Sequence, residues 1–443
     1  MGRGHESSRT PLDVVGVGVG PFNLSLAALL WKVPAIRARF LEARPRFEWH
    51  SGLLFDHATL QSPYLKDLAL LVDPTSPFTF LNYLVREGRI YRFVVADYAN
   101  VPRKEFNRYF QWVCRELDCL SFDTHVDAVE YTGDRLLVEA GAASCSARHL
   151  VLGVGHVPNI PDEARPHLGP TVFHGGEYLH RTFPKRDASI VVVGGGQTGA
   201  EIFYDLLSER HPPRHVTWVT RRHNFVPFDE SAFANELYVP GYAERFFRLP
   251  ASERARLLEK QKYSSDAILA PLLLAIYRRL YELDYLSARD VGYRLLVDRT
   301  LAEIAPDGDG WTVVTEGPGA REVMYADVVV LATGFKFERP PLLEPILDRI
   351  ELDEQGRFVM NEDFSLAWDG DPVNRIYAHN AALHSHGWID PNFAGMAWRS
   401  AVIANSLAEE QVYDVSALET AVDWLGDLVP EQAGEGLAAR ARG

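Results

Sequence analysis

The chain has 443 residues, 47% of them hydrophobic and 24% charged, with a formal net charge of -15. That length exceeds what one hydrophobic core usually serves, so two or three domains are expected. The acidic balance argues against nucleic acid as a partner, and no run approaches the roughly 18 apolar residues of a membrane span.

From Leu12 to Leu30 an apolar stretch runs into a glycine turn and then into a helix. Gly16 reads as the residue that permits the turn. Gly18 lets the backbone approach a pyrophosphate, and the amides that open the helix after Gly20 offer partial positive charge. Pro21 stands where a third glycine is usual and suits the first helical turn. The next apolar strand, Ala38 to Ala43, carries Glu42, placed where an acid would bind a ribose hydroxyl. This order predicts a dinucleotide-binding unit.

An insert from about Arg46 to Leu120 follows, rich in aromatics such as Phe47, Trp49, Phe55, Tyr64, Phe80 and Trp112. Alternation over Val126 to Glu139 around Thr132-Gly133-Asp134 predicts a hairpin. A buried strand from Ala147 to His156 then closes the unit. The pattern returns at Ser189 to Leu207, with Gly194, Gly196 and Gly199 all in place and Gln197 and Thr198 opening the helix. The strand His215 to Val219 leads into Arg221 and Arg222, at nearly the distance from Gly194 that Glu42 keeps from Gly16. Guanidinium groups there attract a ribose phosphate, so the second site should prefer NADPH to NADH. A second insert, from about His223 to Leu286, turns helical at Pro250-Ala251-Ser252-Glu253, with Ser252 as a cap. Another hairpin spans Leu301 to Thr315, and Ala326 to Phe335 closes the second unit. The fold expected is α/β: two tandem Rossmann-like dinucleotide-binding domains with β-hairpin inserts and a helical substrate insert.

The residues Asp327, Leu331, Ala332, Thr333, Gly334, Phe335, Pro340 and Pro341 match the D-x3-[LF]-ATG-Y-x4-P-P signature, with Phe335 in place of tyrosine. With GVGVGPFNLSLA at Gly16, FEWHSGLLF at Phe47, LQSPYLKDLALLVDPTSPFTFLNYL at Leu60, GGGQTGAE at Gly194 and HGWIDPN at His386, the chain resembles the microbial lysine/ornithine N-hydroxylating flavin monooxygenases over nearly its whole length. The run around Leu60 is most similar to the lysine 6-monooxygenase branch, which serves hydroxamate siderophore synthesis.

The resemblance implies FAD and NADPH as cofactors and dioxygen as co-substrate. In such a cycle NADPH reduces the flavin, a flavin hydroperoxide forms, and its distal oxygen passes to a primary amine. It implies a discontinuous FAD domain (10-185 plus 327-430), an NADPH domain (186-222 plus 289-326) and a substrate insert (223-288). Trp49, His50, Gln61, Thr333, Gly334, His386 and Pro391 fall on positions near the cofactors. Lys66 is implied to hold the substrate carboxylate, with Asn235, Lys262 and Asn392 also near substrate. Gln61, Lys66 and Asn235 are the implied catalytic set.

Lys262-Tyr263-Ser264 replaces the Asn-Tyr-[Ser/Thr] of ornithine enzymes, and Asp390 to Gly395 lacks their leucine- and serine-rich form; both argue against ornithine without selecting lysine. Ornithine and the diamines cadaverine and putrescine remain alternatives, as do a flavin oxidoreductase or a Baeyer-Villiger-type enzyme. Cys114, Cys119 and Cys145 form no CxxC, and His384 with His386 lacks a third ligand, so no metal is expected. The polar start MGRGHESSRT has no apolar signal core, so the cytoplasm is the expected location, with a homo-oligomer open.

Overall fold

In the computed structural model, residues 12-209, 212-287, 291-416 and 420-424 are described. The expected domain ends at 10 and 430 lie outside them. The first unit begins with strand β1 (Leu12–Val17), helix α1 (Pro21–Leu30) and strand β2 (Ala38–Leu41). Helices α2 (Phe80–Arg86), α3 (Ile90–Ala96) and α4 (Arg103–Glu116) occupy the aromatic insert. Strand β3 (Leu120–Ser121), the hairpin β4 (Ala128–Tyr131) and β5 (Leu136–Glu139), and β6 (Cys145–Leu152) complete most of the first sheet. Its order is β3-β2-β1-β6-β5-β4, with β1 parallel to both β2 and β6.

After the short β7 (Val157–Pro158) and β8 (Val172–His174), the pattern repeats as β9 (Ser189–Val193), α5 (Gln197–Ser208) and β10 (His215–Val219). Helices α6 (Ala232–Asn235), α7 (Pro240–Arg248), α8 (Ala251–Gln261) and α9 (Ala270–Tyr285) fill the second insert. Then come β11 (Gly292–Leu296), an antiparallel sheet of β12 (Thr300–Asp307), β13 (Gly310–Gly317) and β14 (Ala320–Ala326), and β15 (Val328–Leu331). The second parallel sheet has the order β11-β10-β9-β15-β8. A short β16 (Phe335–Lys336) pairs with β7, and β17 (Ile376–Ala378) pairs with β6. Helices α10 (Leu383–His386) and α11 (Met396–Ala408) are the last elements among the described residues, α11 packing on α1.

Two sheets with buried parallel cores, each read as continuous apolar runs, are what the sequence predicts, and the β4–β5 hairpin adds an antiparallel edge to the first. Four details differ. Strands β8 and β15 hydrogen bond within the second sheet, although the boundaries at 185/186 and 326/327 assign both to the first unit. The Val-rich β15 needs both faces covered, and β9 and β8 supply its two neighbours. Helix α9 packs on α5 as the crossover between β10 and β11, so the second insert is not one body. The second hairpin is a three-stranded sheet, β14 adding to it. Ser252 does not cap α8: Pro250 is the N-cap residue and no side chain bonds there, which places Ser252 inside the first turn.

Candidate active site

The two glycine turns are built alike, with a different division of labour from the one expected at Gly16. Gly16 lies within β1, and a Cβ there would strike the Phe40 ring on β2. Its lack of a side chain serves strand packing, and the turn itself belongs to Gly18. Gly18 has φ +85°, and a Cβ on it would lie 2.6 Å from the Gly153 carbonyl. Gly20 precedes α1 without offering a side-chain cap. The Asn23 amide clasps the turn by donating to the Val17 and Gly18 carbonyls at 3.2 and 2.8 Å. Glu42 accepts from the Val19 amide at 2.8 Å and from the Arg44 amide and Nε. Burial pushes its carboxyl pKa up, but these donors together hold it below the usual value.

Near this turn the protein leaves buried polar atoms without partners: Asn23 Oδ1, Asn380 Oδ1 and both ring nitrogens of His379, whose ring stacks on Phe22. Unpartnered buried polar groups are costly, and a polar cofactor laid along the uncapped helix end is what would satisfy them. The donor set fits a dinucleotide such as FAD.

In the second turn, Gly194 takes φ +135° where a Cβ would collide with the Ala332 carbonyl. Gly199 presses on Gly194, and Trp218 Nε1 donates to the Gly194 carbonyl at 2.7 Å. Gly196 precedes α5 with no side-chain cap, and the nearest atom a Cβ there would meet is Asp266 Oδ1 at 3.8 Å, which leaves room for a second pyrophosphate. The two arginines differ. Arg222 pairs with Asp266 at 2.9 Å, donates to the Gly195 carbonyl at 3.1 Å and lies over the Tyr263 ring. Arg221 is exposed. The Ala332-Thr333-Gly334 turn is tied down by Asn159, whose carbonyl accepts from Thr333 Oγ1 at 2.6 Å and whose amide donates to the Gly334 carbonyl at 2.9 Å.

Between the sheets lies a cavity of about 290 Å³. Trp49, His50, Gln61, Gln197, Thr198, Pro391 and Asn392, each singled out in the sequence, line it. Gln61 Nε2 donates to the Ala267 carbonyl at 3.4 Å, which ties the first insert to the second. Further wall residues were not among those expected at the site. Arg103, Phe228 and Ser265 stand in runs with no motif, while Phe335 was noticed only as a substitution within the signature.

Lys66 and Asn235 do not line this cavity, yet they meet each other: Lys66 Nζ donates to Asn235 Oδ1 at 3.3 Å. Asp67, the acid beside Lys66 in sequence, turns inward and accepts from the Ala69, Leu70 and Phe80 amides. Among the described residues no ion-pair partner for Lys66 is found, and burial lowers its pKa. Lys262 begins a short turn after α8 and is not among the cavity walls.

His386 is not at the cavity. It is buried, stacks on Phe364 at 4.1 Å between centroids and hydrogen bonds with Ser385 Oγ. Its imidazole is wedged between the Phe364 and Phe247 rings, outside the walls of this cavity.

Residues 10–337 match the sequence profile described as L-lysine 6-monooxygenase/L-ornithine 5-monooxygenase. The chain belongs to this family. As a member it is a flavin-dependent N-monooxygenase with the mixed α/β fold of that group. It is 35% identical to the L-lysine N6-monooxygenase of Escherichia coli, over 93% of this chain and 98% of that one. Its fold matches the FAD-bound cadaverine monooxygenase of the desferrioxamine pathway from Erwinia amylovora with a TM-score of 0.86, at 31% identity and covering 93% and 98% of the two chains. The ornithine N-hydroxylase of Kutzneria sp. 744, solved with reduced FAD, NADP+ and L-ornithine, gives 0.84 at 27% identity over 90% and 99%.

Proposed function

We propose that this flavoprotein uses FAD and NADPH to N-hydroxylate the terminal side-chain amine of L-lysine, an early step in making a hydroxamate siderophore in the cytoplasm. The observation that carries the choice of an amino acid is Lys66, partly buried, hydrogen bonded to Asn235 and with no ion-pair partner among the described residues, Asp67 being turned inward. A cation so placed is a counter-charge waiting for a carboxylate, whereas it would repel a diamine. The resemblance to the lysine enzyme favours lysine over ornithine; one methylene is worth only about 1 to 3 kcal/mol to a pocket.

The chain's own residues supply binding, orientation and dryness. Gly18, Gly20 and the start of α1 would take the FAD pyrophosphate, with Glu42 on its ribose. Gly194, Gly196 and Gly199 would let NADPH lie against α5, with Gln197 and Thr198 facing the shared cavity. When bound, the flavin supplies the oxygen-transfer chemistry. Trp49, Phe393 and Phe335 give the cavity apolar walls that keep water from the reacting centre. The same walls disfavour an ammonium, so the amine arrives as the free base that can attack oxygen, against its ordinary pKa of about 10.4. In this division the FAD unit carries the first sheet, the NADPH unit carries the second, and α6 to α8 serve the substrate side.

A diamine is the second reading, favoured by the fold match to the cadaverine enzyme. The test supplies FAD and NADPH with lysine, ornithine, cadaverine or putrescine and compares hydroxylamine formed with NADPH consumed. Lysine should give the highest yield per NADPH. A diamine outrunning lysine would support the second reading, and NADPH loss to peroxide with every amine would discard both.

A further inference from the structure

Beyond α11 the chain is tied down at two places. Asn405 on α11 accepts from the Val412 and Tyr413 amides at 2.9 and 2.8 Å, and the Tyr413 hydroxyl donates to the Leu29 carbonyl of α1 at 2.6 Å. This end belongs to the FAD unit. The segment Thr420-Ala421-Val422-Asp423-Trp424 then lies on α6 and α7 of the second insert. The Ala421 amide donates to Glu236 Oε2 at 3.2 Å, and the Trp424 ring packs edge-on against Tyr242 at 4.8 Å. The Trp424 carbonyl accepts from Arg245 Nη1, and that guanidinium also lies over the indole. Tyr242 is itself buried and accepts from Gln261 Nε2, so the grip reaches the end of α8, beside Lys262.

What α6 carries gives this contact its consequence. The helix is a single turn of four residues, far too short to hold its own shape. Asn235 is its last residue, and its amide donates to the Ser231 carbonyl at 3.1 Å, which leaves Oδ1 to accept from Lys66 Nζ at 3.3 Å. That bond is already near the limit of hydrogen-bond length, and a shift of about 1 Å in α6 would break it. Glu236, held by Ala421, is the very next residue. We propose that Trp424 is a positioning residue for the amine substrate: the segment it ends straps α6 and α7 to the FAD unit and so keeps Asn235 opposite Lys66. The inference rests on the reading of Lys66 and Asn235 as the seat of the substrate carboxylate, and adds that this seat is assembled by the far end of the chain.

The test measures hydroxylamine formed by the full-length, FAD-loaded enzyme over a range of lysine concentrations. Trp424→Ala should raise KM for lysine about fivefold to tenfold and leave kcat and KM for NADPH within about twofold, the split expected when ground-state and transition-state binding are lost alike. Far-UV circular dichroism and flavin content should not change. Trp424→Phe, which keeps a ring against Tyr242, should stay within about twofold of wild type. Ala421→Pro, at an exposed position, deletes the amide given to Glu236 and should raise KM about threefold or more. In a Lys66→Ala background Trp424→Ala should add less than about twofold, because the strap acts through a pair that is already broken. A KM for lysine unmoved by both Trp424→Ala and Ala421→Pro would overturn the inference, as would an undiminished effect of Trp424→Ala in the Lys66→Ala background. Lys66→Ala that by itself leaves KM for lysine at the wild-type value would instead remove the carboxylate reading, and the inference with it.

Discussion

Arg103 on α4 and Glu201 on α5 form a two-pronged ion pair sealed between the halves of the molecule. Nη2 lies 2.7 Å from Oε1 and Nη1 lies 3.1 Å from Oε2, with the side chains only 10% and 1% exposed. Each end is further occupied: Arg103 Nη1 donates to the Leu53 carbonyl at 2.9 Å, and Gln197 Nε2 donates to Glu201 Oε1 at 2.9 Å. Gln197 in turn accepts from the Leu269 amide at 2.9 Å. One pair thus ties the aromatic insert, the second glycine turn and the helical insert to the wall of the same cavity.

Breaking that pair on one side should cost far more than a surface ion pair does. Glu201→Gln keeps the shape but leaves the Arg103 cation buried without its counter-charge, a loss of about 3 to 5 kcal/mol. Urea unfolding followed by circular dichroism should show the drop. An Arg103→Met, Glu201→Leu double variant should recover part of it, because two apolar groups leave no stranded charge. Unchanged stability in Glu201→Gln would show the pair to be solvated.

Lys66→Ala should raise KM for lysine by about tenfold to a hundredfold, matching the 1.5 to 3 kcal/mol of a hydrogen bond to a charged group. KM for cadaverine should stay level or fall. Because burial lowers the Lys66 pKa, the cation is lost at a lower pH than for an ordinary lysine. KM for lysine should then climb on the alkaline side earlier than substrate ionisation alone dictates. Lys66→Arg should move that climb upward, since guanidinium stays charged. A KM for lysine indifferent to both changes would remove the carboxylate from this site.

The two arginines after β10 should separate in cofactor kinetics. Arg221 is free to meet a ribose phosphate, so Arg221→Ala should raise KM for NADPH about tenfold or more and leave NADH nearly untouched. Arg222 already serves Asp266 and the Gly195 carbonyl. Arg222→Ala should therefore weaken both cofactors alike by loosening the glycine turn. Steady-state kinetics with each nucleotide distinguishes the cases, and equal effects of Arg221→Ala on both would refute the assignment.

Most of the parallel framework was legible because its strands are continuous apolar runs and its turns need glycine for reasons that local sequence displays. Gly18, Gly194 and Gly199 are forced by backbone approach, and Gly16 shows the limit: its partner is the Phe40 ring, a contact across strands that no spacing announces. The sheet membership of β8 was hidden for the same reason, since three residues find their place only by lying beside β15. Lys66 and Asn235, 169 positions apart, were each singled out by resemblance, and only the fold shows that they touch. Arg103 was missed because an ion pair between distant helices leaves no periodicity. His386 was singled out by a motif, which names a residue without its surroundings, and only the fold shows it between Phe364 and Phe247.

Buried histidines should make the protein acid-sensitive above the range where carboxylates protonate. Burial, aided by the Arg148 and Arg375 charges, lowers His149 to about 4, and burial lowers His386 to about 3. Both are neutral when folded, but in the unfolded chain they take up protons near pH 6.5. Their contribution is complete above pH 6.5 and is lost as pH falls toward 4 and then 3, on the order of 3 kcal/mol for His149. Asp67 works in the opposite sense: burial raises its pKa from 3.8 to about 6, so its contribution falls as pH rises through that interval and is a constant cost above it. The difference between variant and wild type isolates the histidine. His149→Gln keeps an acceptor for the Arg375 amide, which bonds His149 Nδ1 at 3.2 Å, and removes the titration. Urea midpoints at pH 7, 6 and 5 should fall less steeply in this variant than in wild type, and parallel slopes would show that His149 is already charged in the folded protein.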